Sequence, residues 1–164
     1  MNDPLRFGRR VYTGGTFDIL HHGHMNLLRQ CRKLAGPRGT VVVGLNNDAF
    51  IARYKQRPPM LCYDDRAAVL AACRYVDEVV DNIGDEDSRI VLEQVAPDFV
   101  VIGSDWAKRD YYAQMGFTQQ WLDERDITLV YVPYTEGISS TDVRNRIRAA
   151  SPATSPVLTP AGSR

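Results

Sequence analysis

Apolar positions recur along the chain with two alternating periods. Short runs of β-branched and aromatic residues stand at Val11-Tyr12, Thr40 to Asn46, Val76 to Asp81, Asp98 to Trp106 and Ile127 to Tyr134, and each reads as a strand. The runs at 40–46 and 98–106 are continuous enough for strands buried on both faces, which favours parallel pairing. Between the runs the period changes to that of a helix. One pattern opens at His22 and carries Met25, Leu27, Leu28, Cys31 and Leu34. A short helix is predicted over 46–54, and another from Arg66 to Tyr75 with Val69, Leu70 and Cys73 inward. A fourth runs from Glu86 to Val95 with Ile90, Val91 and Val95 inward, and a brief one spans Gln119 to Glu124. The last ends at Arg148. Gly36 to Gly39, Pro58-Pro59 and Ala96-Pro97 punctuate the pattern, Asp64 or Asp65 caps the third helix, and Ser139 or Ser140 the last. Residues 107–117 mix polar and aromatic side chains and fit either a helical insert or a loop over a site.

Successive β-α units with short crossovers predict one α/β domain, a Rossmann-like, doubly wound parallel sheet of five strands with helices on both faces. It occupies residues 9–148, with 1–8 as an N-terminal extension. From Ala149 the chain turns to Ser, Pro, Thr, Ala and Gly, which bury too little apolar surface to offset backbone ordering, so 149–164 is expected to be a disordered tail.

The 164 residues carry twenty basic and twenty acidic side chains, and this balance leaves no general electrostatic footprint for nucleic acid. No stretch reaches the roughly twenty apolar residues of a membrane span. Cys31, Cys62 and Cys73 are odd in number and lack metal-ligand spacing, which suits reduced thiols in the cytoplasm, with Cys31 and Cys73 as small core residues.

Candidate chemistry gathers between Arg9 and Gln30, RRVYTGGTFDILHHGHMNLLRQ. A strand meets the Gly14-Gly15 turn and a helix opens at once. Glycines let the backbone approach a bulky anion, and the first helical turn offers unpaired N–H groups at the positive end of the helix dipole. All three histidines of the chain fall here, at His21, His22 and His24. The H-x-G-H spacing sets His21 at the loop end and His24 in the first turn, so both imidazoles can face one phosphate. His22, between them, is given no role.

The segment GTFDILHHGH resembles the first signature of the nucleotidyltransferase superfamily with the H-x-G-H motif, most closely the glycerol-3-phosphate cytidylyltransferase family. RYVDEVV at 74–80 and TEGISST at 135–141 agree with it, and the resemblance covers roughly Val11 to Ile147. It implies transfer of CMP from CTP to a small phosphorylated alcohol, or a related phosphate or phosphonate, with release of pyrophosphate. His21, His24 and Lys55 are the implied catalytic residues. Gly15, Thr16, Phe17, Asp18, Arg66, Gly103, Asp105, Thr135, Gly137, Ile138, Ser139, Ser140 and Thr141 would hold the nucleotide, with Arg57 and Tyr134 at the substrate. Mg²⁺ is the implied cofactor, with Asp18 as its one candidate protein ligand, and a homodimer is the implied assembly. The chain departs from the family at Tyr134, where the second signature begins with arginine.

Because the H-x-G-H loop does not choose the base, an adenylyltransferase of the same fold acting on a sugar phosphate is the enzyme alternative. A nucleotide-sensing module that has lost catalysis is the non-enzyme one. Intact His21, His24 and Lys55 argue against the sensor.

Overall fold

The computed structural model describes residues 8–105 and 111–150. Five parallel strands form one sheet: β1 (Arg10–Gly15), β2 (Thr40–Leu45), β3 (Glu78–Asp81), β4 (Phe99–Gly103) and β5 (Thr128–Val132). Their order is β3-β2-β1-β4-β5, all parallel, so the direction of winding reverses between β1 and β4. Ligands of open parallel sheets bind beyond the carboxyl ends of the strands at such a reversal. The expected fold is the one observed.

Seven helices are found among the described residues: α1 (His22–Ala35), α2 (Asp48–Lys55), α3 (Tyr63–Ala71), α4 (Arg89–Val95), α5 (Tyr111–Met115), α6 (Gln119–Asp123) and α7 (Ser140–Ala150). None is long and apolar enough to cross a membrane. On one face of the sheet, Cys31 and Ala35 of α1 meet Val11, Val41 and Val101, while Leu28 of α1 and Leu70 of α3 meet Val43 and Leu45. On the other, Val91, Leu92 and Val95 of α4, Tyr111 of α5 and Leu122 of α6 close over Tyr12, Val42, Val100 and Ile102. Full burial of such side chains contributes about 1.5–3 kcal/mol each, so these two interfaces supply most of the favourable term.

Several boundaries differ from the sequence pattern. The third helix begins at Tyr63, behind an N-cap at Cys62, so Asp64 and Asp65 occupy its first turn instead of capping it. It stops at Ala71, with Val69 facing outward at 46% exposure and Cys73 half-buried in the following turn. The fourth helix is shorter than the pattern suggests, and Ile90 is likewise solvent-facing. In the uncertain 107–117 stretch, residues 111–115 are helical, and 107–110 lie outside the described residues. The final helix runs two residues past Arg148 and takes up Ala149 and Ala150, the start of the expected tail. The rest of that tail, 151–164, and most of the N-terminal extension also lie outside.

Candidate active site

Beyond the strand ends lies a cavity of about 660 Å³, walled by the loop after β1, the start of α1, the segment after β4 and the second signature before α7. The sequence brings its parts together in a specific way at α1. His21 is the N-cap, and its Nδ1 accepts from the Gly23 N–H at 3.2 Å. His24, three residues on, accepts the His21 N–H on its own Nδ1 at 3.3 Å. The pair is a capping box in which histidines replace the usual hydroxyl and carboxylate. A neutral imidazole that accepts at Nδ1 carries its proton at Nε2, so both rings keep an Nε2–H to donate. The rings are tilted against each other with centroids 4.0 Å apart, and both residues line the cavity.

Their surroundings keep them neutral. Burial, then the neighbouring His21 and Lys55, push His24 down to about 3, against a smaller opposing pull from Asp18. Burial and His22 lower His21 as well. Lys55, the last residue of α2, is exposed overall yet lines the cavity, and its ammonium is held below the usual range by desolvation first and by Arg57 second. Arg57 lines the cavity and reaches the Thr141 hydroxyl at 3.3 Å, so the two motifs that carry these residues meet in space.

Asp18 is buried, and its carboxylate accepts from the backbone N–H groups of Met60 and Leu61 at 2.9 and 3.0 Å and from Arg144 at 2.8 Å. Its backbone carbonyl accepts the Ser140 hydroxyl at 2.5 Å. Asp18 thereby pins the loop at 58–61 and the start of α7 to the phosphate loop. Both of its oxygens already hold protein donors, and no cluster of metal-ligating side chains occurs among the described residues. These residues would leave a Mg²⁺ ion to be held by the oxygens of a bound triphosphate and by water.

Most of the remaining expected residues line the cavity: Gly15, Thr16, Phe17, Gly103, Asp105, Tyr134, Thr135, Ile138, Ser139, Ser140 and Thr141. Gly137 does not. Its φ of +80° serves the turn that leads into α7, where left-handed backbone favours glycine. Arg66 does not line it either. Expected at the nucleotide, its side chain is wholly buried outside the cavity wall, donating to the carbonyls of Leu61, Thr16 and Asn46 and to Asp48. A guanidinium with so many acceptors among loop carbonyls is a structural tie.

Arg144 is the residue the sequence reading missed. It is buried, lines the cavity and spends one terminal nitrogen on Asp18, while its other terminal nitrogen has no partner among the described residues. Leaving a buried donor unpaired is costly, so this one is a ready donor to a bound anion. Its position, one helical turn after Ser140 on the same face, was the available signal.

Two neutral imidazoles and a half-spent guanidinium thus line one cavity at the reversal point of a parallel sheet, and the comparisons with known proteins place the chain among the nucleotidyltransferases. The sequence profile of the cytidylyltransferase-like family matches residues 12–146, and the chain belongs to that family. It is 32% identical over 139 residues to the glycerol-3-phosphate cytidylyltransferase of Bacillus subtilis, covering 85% of this chain and 97% of that one. It is also 32% identical over 150 residues to an FAD synthase of Korarchaeum cryptofilum, covering 87% and 94%. Among solved structures, a lipopolysaccharide core biosynthesis protein from Thermoplasma volcanium superposes with a TM-score of 0.62 at 26% identity, over 80% of this chain and all of that one.

Proposed function

We propose that the chain transfers CMP from CTP to a small phosphorylated alcohol, or a related phosphate or phosphonate, and releases pyrophosphate. An acceptor phosphate oxygen attacks the α-phosphorus, a new P–O–P linkage forms, and the bond to the β-phosphate breaks. The acceptor oxygen is already ionised, so no base has to take a proton from it. Positioning and charge stabilisation carry the rate.

The observation that supports this most is the pair of backbone N–H groups that hold His21 and His24 at Nδ1 and so present Nε2–H to the cavity. These donors need no protonation to act. Lys55, Arg57 and Arg144 add cationic donors around the triphosphate, and Mg²⁺ accompanies it as part of the substrate. The choice of CTP follows the cytidylyltransferase relative. The FAD synthase relative, whose product contains adenine, supports adenylyl transfer as the second reading. Cytoplasmic location and a homodimer complete the reading, carried respectively by the scattered thiols and by the family resemblance.

The test is pyrophosphate release measured across CTP, ATP, GTP and UTP with a panel of acceptor phosphates. Turnover with CTP above the others supports the first reading, and turnover with ATP the second. Release with none of them excludes both.

A further inference from the structure

On the face of the sheet away from α1, one feature of the cavity is built at the expense of two glycines. Gly14 of β1 and Gly44 of β2 pair in register, and the Tyr12 hydroxyl lies against both. A Cβ at Gly44 would stand 2.1 Å from that hydroxyl, and one at Gly14 2.8 Å from it. Any larger residue would displace the tyrosine. Tyr12 is fully buried, and burial raises its pKa far above the physiological range, so it stays a donor.

What this hydroxyl approaches is Asn82, just past β3, whose Oδ1 lies 3.4 Å away. With Oδ1 turned to Tyr12, the Asn82 amide nitrogen donates to Asn46 Oδ1 at 2.6 Å. The order of donors is then fixed along the row. Asn46 accepts on its oxygen, and its own amide nitrogen is left over, with no protein partner among the described residues. Asn46 and Asn82 both line the cavity. Asn46 also stands beside the phosphate loop, since its backbone N–H donates to the Gly15 carbonyl at 3.0 Å.

The walls around this donor are mixed. Phe50, Tyr54 and Ile102 supply apolar surface. Asp85 and Glu86, at the rim, are both paired with Arg53.

We propose that Asn46 reads the acceptor: its amide N–H donates to a hydroxyl or carbonyl oxygen carried near the acceptor's phosphate. Asn82 and Tyr12 are the positioning residues that fix the amide in that orientation. The inference rests on the nucleotidyl-transfer reading above, and deepens it by naming the residue that reads an oxygen beside the acceptor's phosphate.

The test uses the full chain and four probes: glycerol 3-phosphate, ribitol 5-phosphate, 1,3-propanediol monophosphate, which lacks the inner hydroxyl, and phosphocholine, which is cationic. Binding is followed by calorimetry and turnover by pyrophosphate release with CTP and with ATP. The two probes with an inner hydroxyl, on the carbon next to the phosphate-bearing one, should bind about tenfold more tightly than the other two, the worth of one ordinary hydrogen bond. Asn46→Ala should abolish that preference, raising the acceptor KM while the KM for the triphosphate moves less than twofold. Asn46→Asp, equal in shape but without the donor, gives the same answer should the alanine variant fold poorly. Tyr12→Phe should cut the preference a few-fold through KM with kcat held. Equal binding of probes with and without the inner hydroxyl by the natural protein, or a preference that survives both Asn46 variants, overturns the proposal. A preference unchanged in Tyr12→Phe overturns the relay. Absence of pyrophosphate release in the natural protein counts against nucleotidyl transfer alone, because the calorimetric arm still decides the role of Asn46.

Discussion

His21 and His24 hold each other's helix end: the backbone N–H of His21 donates to His24 Nδ1, and His21 Nδ1 in turn accepts from the first turn. One pair of side chains therefore terminates a helix and lines the cavity. The two roles are separable. His21→Ala or His24→Ala should lower kcat about 10²–10³-fold, the range for losing a preorganised transition-state donor. Each should also lose about 1 kcal/mol of stability with the cap. His21→Ser and His24→Gln rebuild a capping box of ordinary chemistry, so melting temperature should recover while turnover does not. Recovery of turnover in either would remove that histidine from the reaction.

Asp18 and Arg144 form a buried ion pair in which the arginine keeps one donor in reserve. Asp18→Ala strands a buried guanidinium and should cost about 3–5 kcal/mol in chemical denaturation. Arg144→Lys keeps the charge and loses the fork, so it should raise the KM for the triphosphate about tenfold with kcat less affected. A variant with unaltered KM would show that the unpaired nitrogen does not meet the nucleotide.

Tyr134 replaces the arginine that opens the second signature in the resembling family, and Arg57 stands at the same signature through Thr141. If Arg57 compensates, Arg57→Ala raises the KM for CTP and Tyr134→Arg partly restores it in the double variant. If Tyr134 shapes the acceptor side, Tyr134→Arg alone reorders acceptors with the KM for CTP unmoved. Changes under about twofold throughout, roughly 0.4 kcal/mol, place position 134 outside the site.

The depressed pKa of His24 links folding to pH. Unfolded, it takes up a proton near 6.5, and folded only near 3. Between those values the unfolded chain binds more protons, so this contribution to stability is complete above about 6.5 and is lost as pH falls toward 3. Melting temperatures measured from pH 7.5 to 4 should fall more steeply for the natural protein than for His24→Gln. Parallel slopes would refute the burial of a neutral imidazole.

A chain ended at Ala150 should match the full chain in melting temperature and turnover, because residues 151–164 carry no apolar face to dock. Ending it at Arg144 instead removes the second half of α7 and should destabilise the fold.

The sheet, its order of β-α units and the phosphate loop were legible because each rests on a local pattern: β-branched runs, a glycine turn, and histidines at helical spacing. Val69 and Ile90 were misread inward because a helix of seven to nine residues gives too few turns to fix its phase, and one residue of slippage turns a side chain from core to solvent. The missed parts of the site depend on long-range partners. Arg144 meets Asp18 across 126 residues of sequence, and Asn82 meets Tyr12 across 70. No periodicity within a single element announces such meetings. Arg66 was placed at the nucleotide by resemblance, yet what decides its role is the set of carbonyls that three separate loops bring to it.

That set has a consequence for motion. Arg66 donates at once to the end of the phosphate loop, to the turn after β2 and to Leu61, the residue whose N–H is held by Asp18. Three surface connections that would otherwise open independently share one anchor, so they should behave as a single foldon. In hydrogen exchange, the amides of Asn46, Met60 and Leu61 should open with a common free energy. Replacing Arg66 with Met should release all three together, well before the strands beneath them exchange.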